Sequence, residues 1–238
     1  MKGSVERIVT WLDRYLNLGE FDDVSNNSLQ IAREGDALSL VAFGVDASVA
    51  FLREAAAAGA QLCVVHHGIS WGGGIKRIAG SEYRVIKAAM ENNLALYAAH
   101  LPLDVHREVG NNVMLARHLG LTSLRRAFSY HGNVIGVMGV AVAATAKKIG
   151  DVEVRLKKGE KVGVCSGGAG EFAVEAKKLG CDVFVTGEAT WGDCIAAENI
   201  GMRIVQAGHY ATETFGVKAL STKMSSELGV NTMFVERR

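Results

Sequence analysis

Short apolar runs that stop at glycine, histidine or a polar cluster alternate along this chain with stretches whose apolar residues recur every three or four positions. At the N-terminus Val5, Ile8, Val9, Leu12 and Leu16 follow helical spacing among Lys2, Glu6, Arg7, Asp13 and Arg14. Residues 1–16 therefore predict an amphipathic helix rather than a leader peptide. Residues 39–45 (SLVAFGV) read as a strand, and 48–58 as an Ala-rich helix ended by Gly59. Residues 61–65 predict a second buried strand, stopped at His66-His67-Gly68. A helix over 81–92, a strand over 94–99 stopped at His100, and a helix over 111–119 closed by Gly120 follow.

The same alternation continues beyond residue 125. Strands are predicted over 134–143, 161–165, 182–186, 203–206 and 232–235. Helices are predicted over 171–179, 191–199 and from about 212 to 228. Repeated strand–helix pairs argue for an α/β layer with a mainly parallel sheet. No Pro/Ser-rich linker parts the chain, and two halves, 1–125 and 126–238, are expected to share a cleft.

With 238 residues, 49% of them hydrophobic, the chain is long enough for a core that needs no covalent staples. A formal net charge of +1, without a long block of one sign, offers no basic stripe for duplex nucleic acid. A short single-stranded ligand stays compatible with it. Cys63, Cys165, Cys181 and Cys194 form no CxxC pair. The first two sit in apolar runs and read as buried thiols of a reducing compartment. Residues 127–146 contain no Asp, Glu, Lys or Arg, but the interspersed Ser129, His131, Asn133 and glycines make this buried strand rather than a membrane span. A cytoplasmic protein is expected.

The candidate chemistry lies at strand ends. His66 and His67 follow LCVV, His100 follows LYAA, and His209 stands three residues after RIVQ. In open α/β sheets, ligand sites form beyond the carboxyl ends of strands. Asp104 follows His100 by four residues and Glu213 follows His209 by four, a spacing that one helical turn brings together, although Pro102 counts against a full turn at 100–104. A single histidine at a strand end is ordinarily a hydrogen-bonded loop residue. Three strand ends that all supply histidine, two with an acid four residues on, call for more. Imidazole with carboxylate suits zinc, manganese, iron, cobalt or nickel, and the ligand count fits a pair of ions used for hydrolysis.

In order, the chain carries His66-His67-Gly68, Ala99-His100-Leu101-Pro102-Leu103-Asp104, Gly110-Asn111-Asn112, Thr186-Gly187-Glu188 and Gly208-His209-Tyr210-Ala211-Thr212-Glu213. This set resembles the NIF3-like family, also called dinuclear-metal-centre proteins or type 2 GTP cyclohydrolase I homologues. Ser25-Asn26-Asn27-Ser28-Leu29-Gln30 is similar to that family's N-terminal signature. The resemblance runs from about residue 8 to 235. It implies an α/β fold of two interlinked halves with mainly parallel sheets and a metal cleft between them. It further implies two divalent metal ions per chain on His66, His67, Asp104, His209 and Glu213, and assembly into a toroidal homohexamer. His100 and Glu188 are the candidate proton-transfer residues, His100 alternatively an extra ligand. Two departures stand out: Glu188 and Trp191-Gly192 replace the family's usual Asp and following His, and Gly68-Ile69-Ser70-Trp71 replaces a usual Pro, ahead of a glycine run (72–74) that reads as a mobile loop.

Ser166-Gly167-Gly168-Ala169-Gly170 reads either as an anion-binding nest or as a tight strand-to-helix turn. Trp71 and Trp191 read as cleft walls or as loop aromatics packed on their own domain. The expected activity is metal-dependent hydrolysis of a nucleotide-like or phosphorylated small molecule, with GTP ring opening as the reaction the family label implies. The competing expectation is a non-catalytic, metal-stabilised ring that binds a protein or nucleic-acid partner. A mononuclear deaminase would instead hold one ion per chain.

Overall fold

The computed structural model describes residues 3–237. In chain order its first elements are β1 (Gly3–Ser4), α1 (Val5–Tyr15), β2 (Ser28–Ile31), β3 (Ala37–Leu38), β4 (Leu40–Asp46), α2 (Val49–Ala57), β5 (Leu62–His67), α3 (Gly80–Glu91), β6 (Ala95–Ala98) and α4 (Leu101–Asp104). There follow α5 (Asn111–His118), β7 (Leu121–Tyr130), β8 (Asn133–Ala141), β9 (Thr145–Ile149), β10 (Val152–Leu156), β11 (Lys161–Gly168), α6 (Ala173–Lys178), β12 (Val183–Glu188), α7 (Trp191–Asn199), β13 (Arg203–Gln206), α8 (His209–Leu228) and β14 (Asn231–Phe234). The expected first helix begins at Val5, where the Ser4 side chain accepts the Arg7 N–H; residues 1 and 2 lie outside the described part. Ser48 caps α2 in the same way, accepting from Phe51 N.

The chain divides into two compact units. One holds the chain up to Leu103 together with the chain from Val217 onward; the other is Asp104–Gly216. This differs from the expected division at residue 125, which falls inside β7, and it puts Asp104 in the second unit. The sequence offers no linker to mark the true boundaries, because the chain crosses at the end of α4 and within α8, both of them ordered helix.

The first unit is built on a sheet ordered β14-β4-β5-β6-β2, parallel except for β2. Ala42, Cys63, Val65, Leu96 and Ala98 pack on one side of it against Leu52 and Ala55 of α2 and Val85 and Ala89 of α3. The second unit is built on a sheet ordered β13-β12-β11-β8-β7, in which β11, β12 and β13 are parallel and β7 and β8 are antiparallel. Leu115, Ala116 and Leu119 of α5 pack there against Val162, Val164, Val183 and Val185. The β9–β10 hairpin also packs into this core through Ile149, Val154 and Leu156. Both sheets are thus mixed α/β layers with a parallel core. No helix among the described residues is long and apolar enough to cross a membrane.

Local differences from the sequence expectation are informative. Strand β5 continues through His66 and His67 instead of stopping before them. The Pro102 ring does not prevent a turn: α4 is a single helical turn in which Leu103 N donates to His100 O, with proline near its start, where the missing N–H costs nothing. Helix α8 starts at His209, three residues earlier than expected.

Candidate metal centre

In the first unit, the parallel register fixes which side chains meet. Asp46 stands opposite His67 across β4 and β5, while Val65 pairs with Ala98 across β5 and β6. Three carboxyl-terminal strand ends therefore deliver Asp46, His66-His67 and His100 to one place. His66 is fully buried, and its Nδ1 lies 2.9 Å from the Ala99 carbonyl oxygen. His67 Nδ1 is 2.9 Å from Asp46 Oδ1, and His100 Nδ1 is 2.9 Å from Asp23 Oδ1. Each partner is an acceptor, so each Nδ1 carries the hydrogen and the lone pair of the neutral ring sits on Nε2. The three rings offer ligand atoms within 4.8 Å of one another, and their centroids are 4.6–5.8 Å apart.

Asp23 is a residue that sequence reasoning missed. Its carboxylate accepts from Ser25 N, Asn27 Nδ2, Leu101 N and His100 Nδ1 at 2.9–3.1 Å. Burial is the largest influence and would raise its pKa. The hydrogen bond and charge of His100, with the donors of Asn27 and Ser25, outweigh it and hold the carboxyl below the usual range. Asn27 Oδ1 accepts from His100 N at 2.8 Å, so the Ser25–Gln30 motif grips the end of β6. The same motif tethers the segment after the double histidine: Gln30 Oε1 accepts from Ile69 N and Ser70 N, and Asn26 N donates to Ser70 O. Gly68 is required there, because a Cβ would lie 2.2 Å from Gln30 Oε1. Trp71 packs on its own unit, edge-on to His100 at 5.2 Å between ring centroids. The segment expected to be a mobile loop is thus pinned at its start.

In the second unit, the ends of β11, β12 and β13 bring together Ser166-Gly167, Glu188 and His209. His209 Nδ1 lies 3.1 Å from Glu188 Oε2, and Nε2 lies 3.1 Å from Glu213 Oε1 one helical turn on. Between two acceptors the metal-free ring holds both protons, and its pKa rises from 6.5 to about 9. The Glu213 hydrogen bond is the main cause, opposed by burial and aided by the Glu213 charge and by Glu188. The expected proton-transfer acid Glu188 is therefore the Nδ1 partner of His209. Asp104 is buried, and its Oδ1 accepts from Asn111 Nδ2 at 2.9 Å and Ser166 Oγ at 3.1 Å.

The glycine-rich segment is strand and turn, not an anion nest. Ser166 N donates to Asn112 Oδ1, Gly167 N to Thr212 Oγ1 and Ala169 N to Thr186 Oγ1, so these N–H groups are already used. Gly167 has φ +67°, and a Cβ on it would stand 2.5 Å from Glu213 Oε1. The glycine makes room for the carboxylate. Trp191 is 80% exposed.

All four imidazoles are thus held at Nδ1 by an oxygen acceptor, three of them by carboxylates. This is the arrangement that orients a metal-binding histidine and presents Nε2 as ligand. The donor set of imidazole and carboxylate fits a divalent cation of the zinc, manganese or iron kind.

A family model described as Duf34/NIF3 (NGG1p interacting factor 3) matches residues 3–238. The chain belongs to the Duf34/NIF3 family. Proteins named "GTP cyclohydrolase 1 type 2 homolog" are similar to it at 37% identity in Pyrococcus horikoshii, covering 97% of each chain, and at 40% identity in Archaeoglobus fulgidus, covering 98% of each. A solved structure titled protein ybgI, of unknown function, superposes with a TM-score of 0.85 at 29% identity, covering 100% of this chain and 99% of that one. In this NIF3-family protein the histidine motifs stand at the carboxyl ends of parallel strands. The match spans nearly the whole of this chain and of those relatives.

Proposed function

We propose that this NIF3-family protein is a metal-dependent hydrolase of a nucleotide-like or phosphorylated small molecule, holding two divalent ions on His66, His67, Asp104, His209 and Glu213. The observation that carries this reading is the common anchoring: His66, His67, His100 and His209 are each held at Nδ1 by an acceptor. A structural histidine needs only to satisfy its own hydrogen bonds and has no reason to repeat one orientation four times. The names of the curated relatives support a cyclohydrolase-type reaction; fold and ligand set alone support several.

Bound ions would lower the pKa of a water toward neutrality and polarise the oxygen of the scissile group. The protein's own groups do the rest. Asp46 and Glu188 orient His67 and His209. Asp23, kept ionised by its four donors, holds His100 with Nε2 presented for proton transfer. Asn111 and Ser166 fix the Asp104 carboxylate. His209 gives up its Nε2 proton when it becomes a ligand.

The test is metal content by elemental analysis, followed by turnover of GTP (formate release) and of phosphoesters with added Mn²⁺, Zn²⁺ or Fe²⁺. Wild type is expected to carry two ions per chain and to turn over a substrate of this panel. His67→Ala and Glu213→Gln are expected to lose metal and rate together. Turnover absent from wild type, or equal in His67→Ala, rejects the hydrolase. Metal retained without any turnover favours the metal-stabilised assembly, and one ion per chain the mononuclear site.

A further inference from the structure

The outer face of α1 and the end of α8, both in the first unit, border a groove of about 590 Å³ lined chiefly by Arg7, Thr10, Trp11, Arg14, Tyr15 and Leu228. Helix α1 buries Val5, Ile8 and Leu12 on its inner side, and the groove residues share the outward side in two stripes. Arg7 and Arg14, two helical turns apart, make one stripe, separated by about 10.5 Å along the axis. Trp11 and Tyr15, one turn apart, make the other. Their rings are stacked, with centroids 4.8 Å apart and planes 8° from parallel. Helix α8 fixes this stripe: Trp11 Nε1 donates to Glu227 Oε2 at 3.2 Å, and Lys223, ion-paired with Glu227 at 2.9 Å, stands over the Tyr15 ring. The indole N–H is thereby used, and the aromatic stripe offers a ligand ring surface. Arg7 and Arg14 are exposed, and among the described residues neither guanidinium is paired with an acid. Glu6 also lines the groove, so two guanidiniums face one carboxylate.

We infer that this groove binds an acidic, proline-bearing segment of a partner protein in the polyproline II conformation. In that helix, residues i and i+3 share an edge and stand about 9.3 Å apart, close to the separation of Arg7 and Arg14 along α1. Carboxylates at i and i+3 meet the two guanidiniums, and prolines at i+1 and i+4, on the neighbouring edge, lie on the Trp11–Tyr15 stripe. Aromatic-lined grooves capture such segments because the proline chain is already stiff, which keeps the entropic cost of docking low. A single-stranded nucleic acid also stacks on aromatics, but it calls for cations along its whole track. This groove supplies two and sets Glu6 beside them. None of the proposed metal ligands lines it, so the inference stands or falls apart from the metal reading.

The test is fluorescence anisotropy of the purified protein with a labelled peptide of sequence Glu-Pro-Ala-Glu-Pro-Ala. The comparisons are the same peptide with Gln for Glu, the same peptide with Ala for Pro, and a labelled oligothymidylate. Wild type is expected to bind the first peptide saturably and each altered peptide about tenfold more weakly, an exposed charge pair being worth a few-fold in affinity. The double variant Arg7→Gln/Arg14→Gln changes only exposed side chains. It is expected to melt as wild type does, to keep the wild-type metal content, and to bind the first peptide about tenfold more weakly, with no preference left for Glu over Gln. Trp11→Leu is expected to lose the preference for proline over alanine instead. The inference is overturned if wild type does not bind the first peptide, if the Gln peptide or the double variant binds as tightly as its parent, or if oligothymidylate binds as tightly as the peptide.

Discussion

Two residues show how narrowly the second unit is specified. His209 lies between Glu188 and Glu213, and its raised pKa has a consequence for the metal-free protein. A folded-state value above the ordinary one means that protonation favours the native state. The resulting stability is present in full below about pH 6.5 and is lost as pH climbs through about 9. Thermal melts of chelator-treated protein are expected to fall across this window in wild type and to stay level in His209→Gln; parallel curves for the two would refute the assignment. The same proton must leave when Nε2 becomes a ligand, so metal uptake near pH 7 should release a proton, visible as a dependence of calorimetric heat on buffer ionisation enthalpy. Gly167 is the second residue. Its φ of +67° and the 2.5 Å approach of Glu213 Oε1 to a built Cβ leave no room for alanine. Gly167→Ala is expected to cost about 1–3 kcal/mol of stability and to weaken metal binding, because the atom displaced first is the carboxylate oxygen. A variant that melts within a degree of wild type and keeps its metal would show that the loop yields freely.

At the scale of elements, strand register does what no single residue can. Asp46 ends β4 directly opposite His67 at the end of β5, which is why a partly exposed aspartate orients a candidate ligand 21 residues away. Asp46→Ala leaves the buried strand intact but frees the His67 ring. Metal affinity is expected to fall about 10–100-fold with little change in the denaturation midpoint. If affinity is unchanged, Asp46 is a bystander. Such pairings also explain what the sequence made legible. Continuous apolar runs such as LVAFGV, LCVV and VFVT announced the parallel strands, and histidines placed just after them pointed to the imidazole cluster that the structure brings together. Asp46 and Asp23 were not legible, because an acid ending a strand or preceding a turn has no period, and only register or a folded turn reveals its partner. The first part of β7 and the β9–β10 hairpin were missed for a related reason: β7 opens by mixing apolar residues with Thr122, Ser123, Arg125 and Arg126, and the charged face of β9 at Lys147-Lys148 reads as ordinary surface. Asn111 and Asn112 were visible only as part of a motif; the structure gives the reason, since both are buried and the first joins Asp104 Oδ1 to Gly216 N.

For the whole molecule, several large apolar side chains stand exposed. Ile78, Tyr83 and Met90 along or just before α3 are 63%, 49% and 69% exposed, and Trp191 at the start of α7 is 80% exposed. Burying an aromatic side chain is worth several times the thermal energy, and clusters of exposed apolar side chains mark association surfaces more often than bare solvent boundaries. The sequence resemblance to a family of toroidal homohexamers supplies an expectation of what covers them: other copies of this chain. Light scattering coupled to gel filtration should then give about six times the 25.3 kDa of one chain. Trp191→Glu and Met90→Glu place a charge where burial is expected and should each shift the mass toward smaller species, with the melting behaviour of the separate units preserved. A wild-type mass of one chain would refute the ring outright. A wild-type hexamer unaffected by both variants would move the interface elsewhere and leave the exposed tryptophan without a role in assembly.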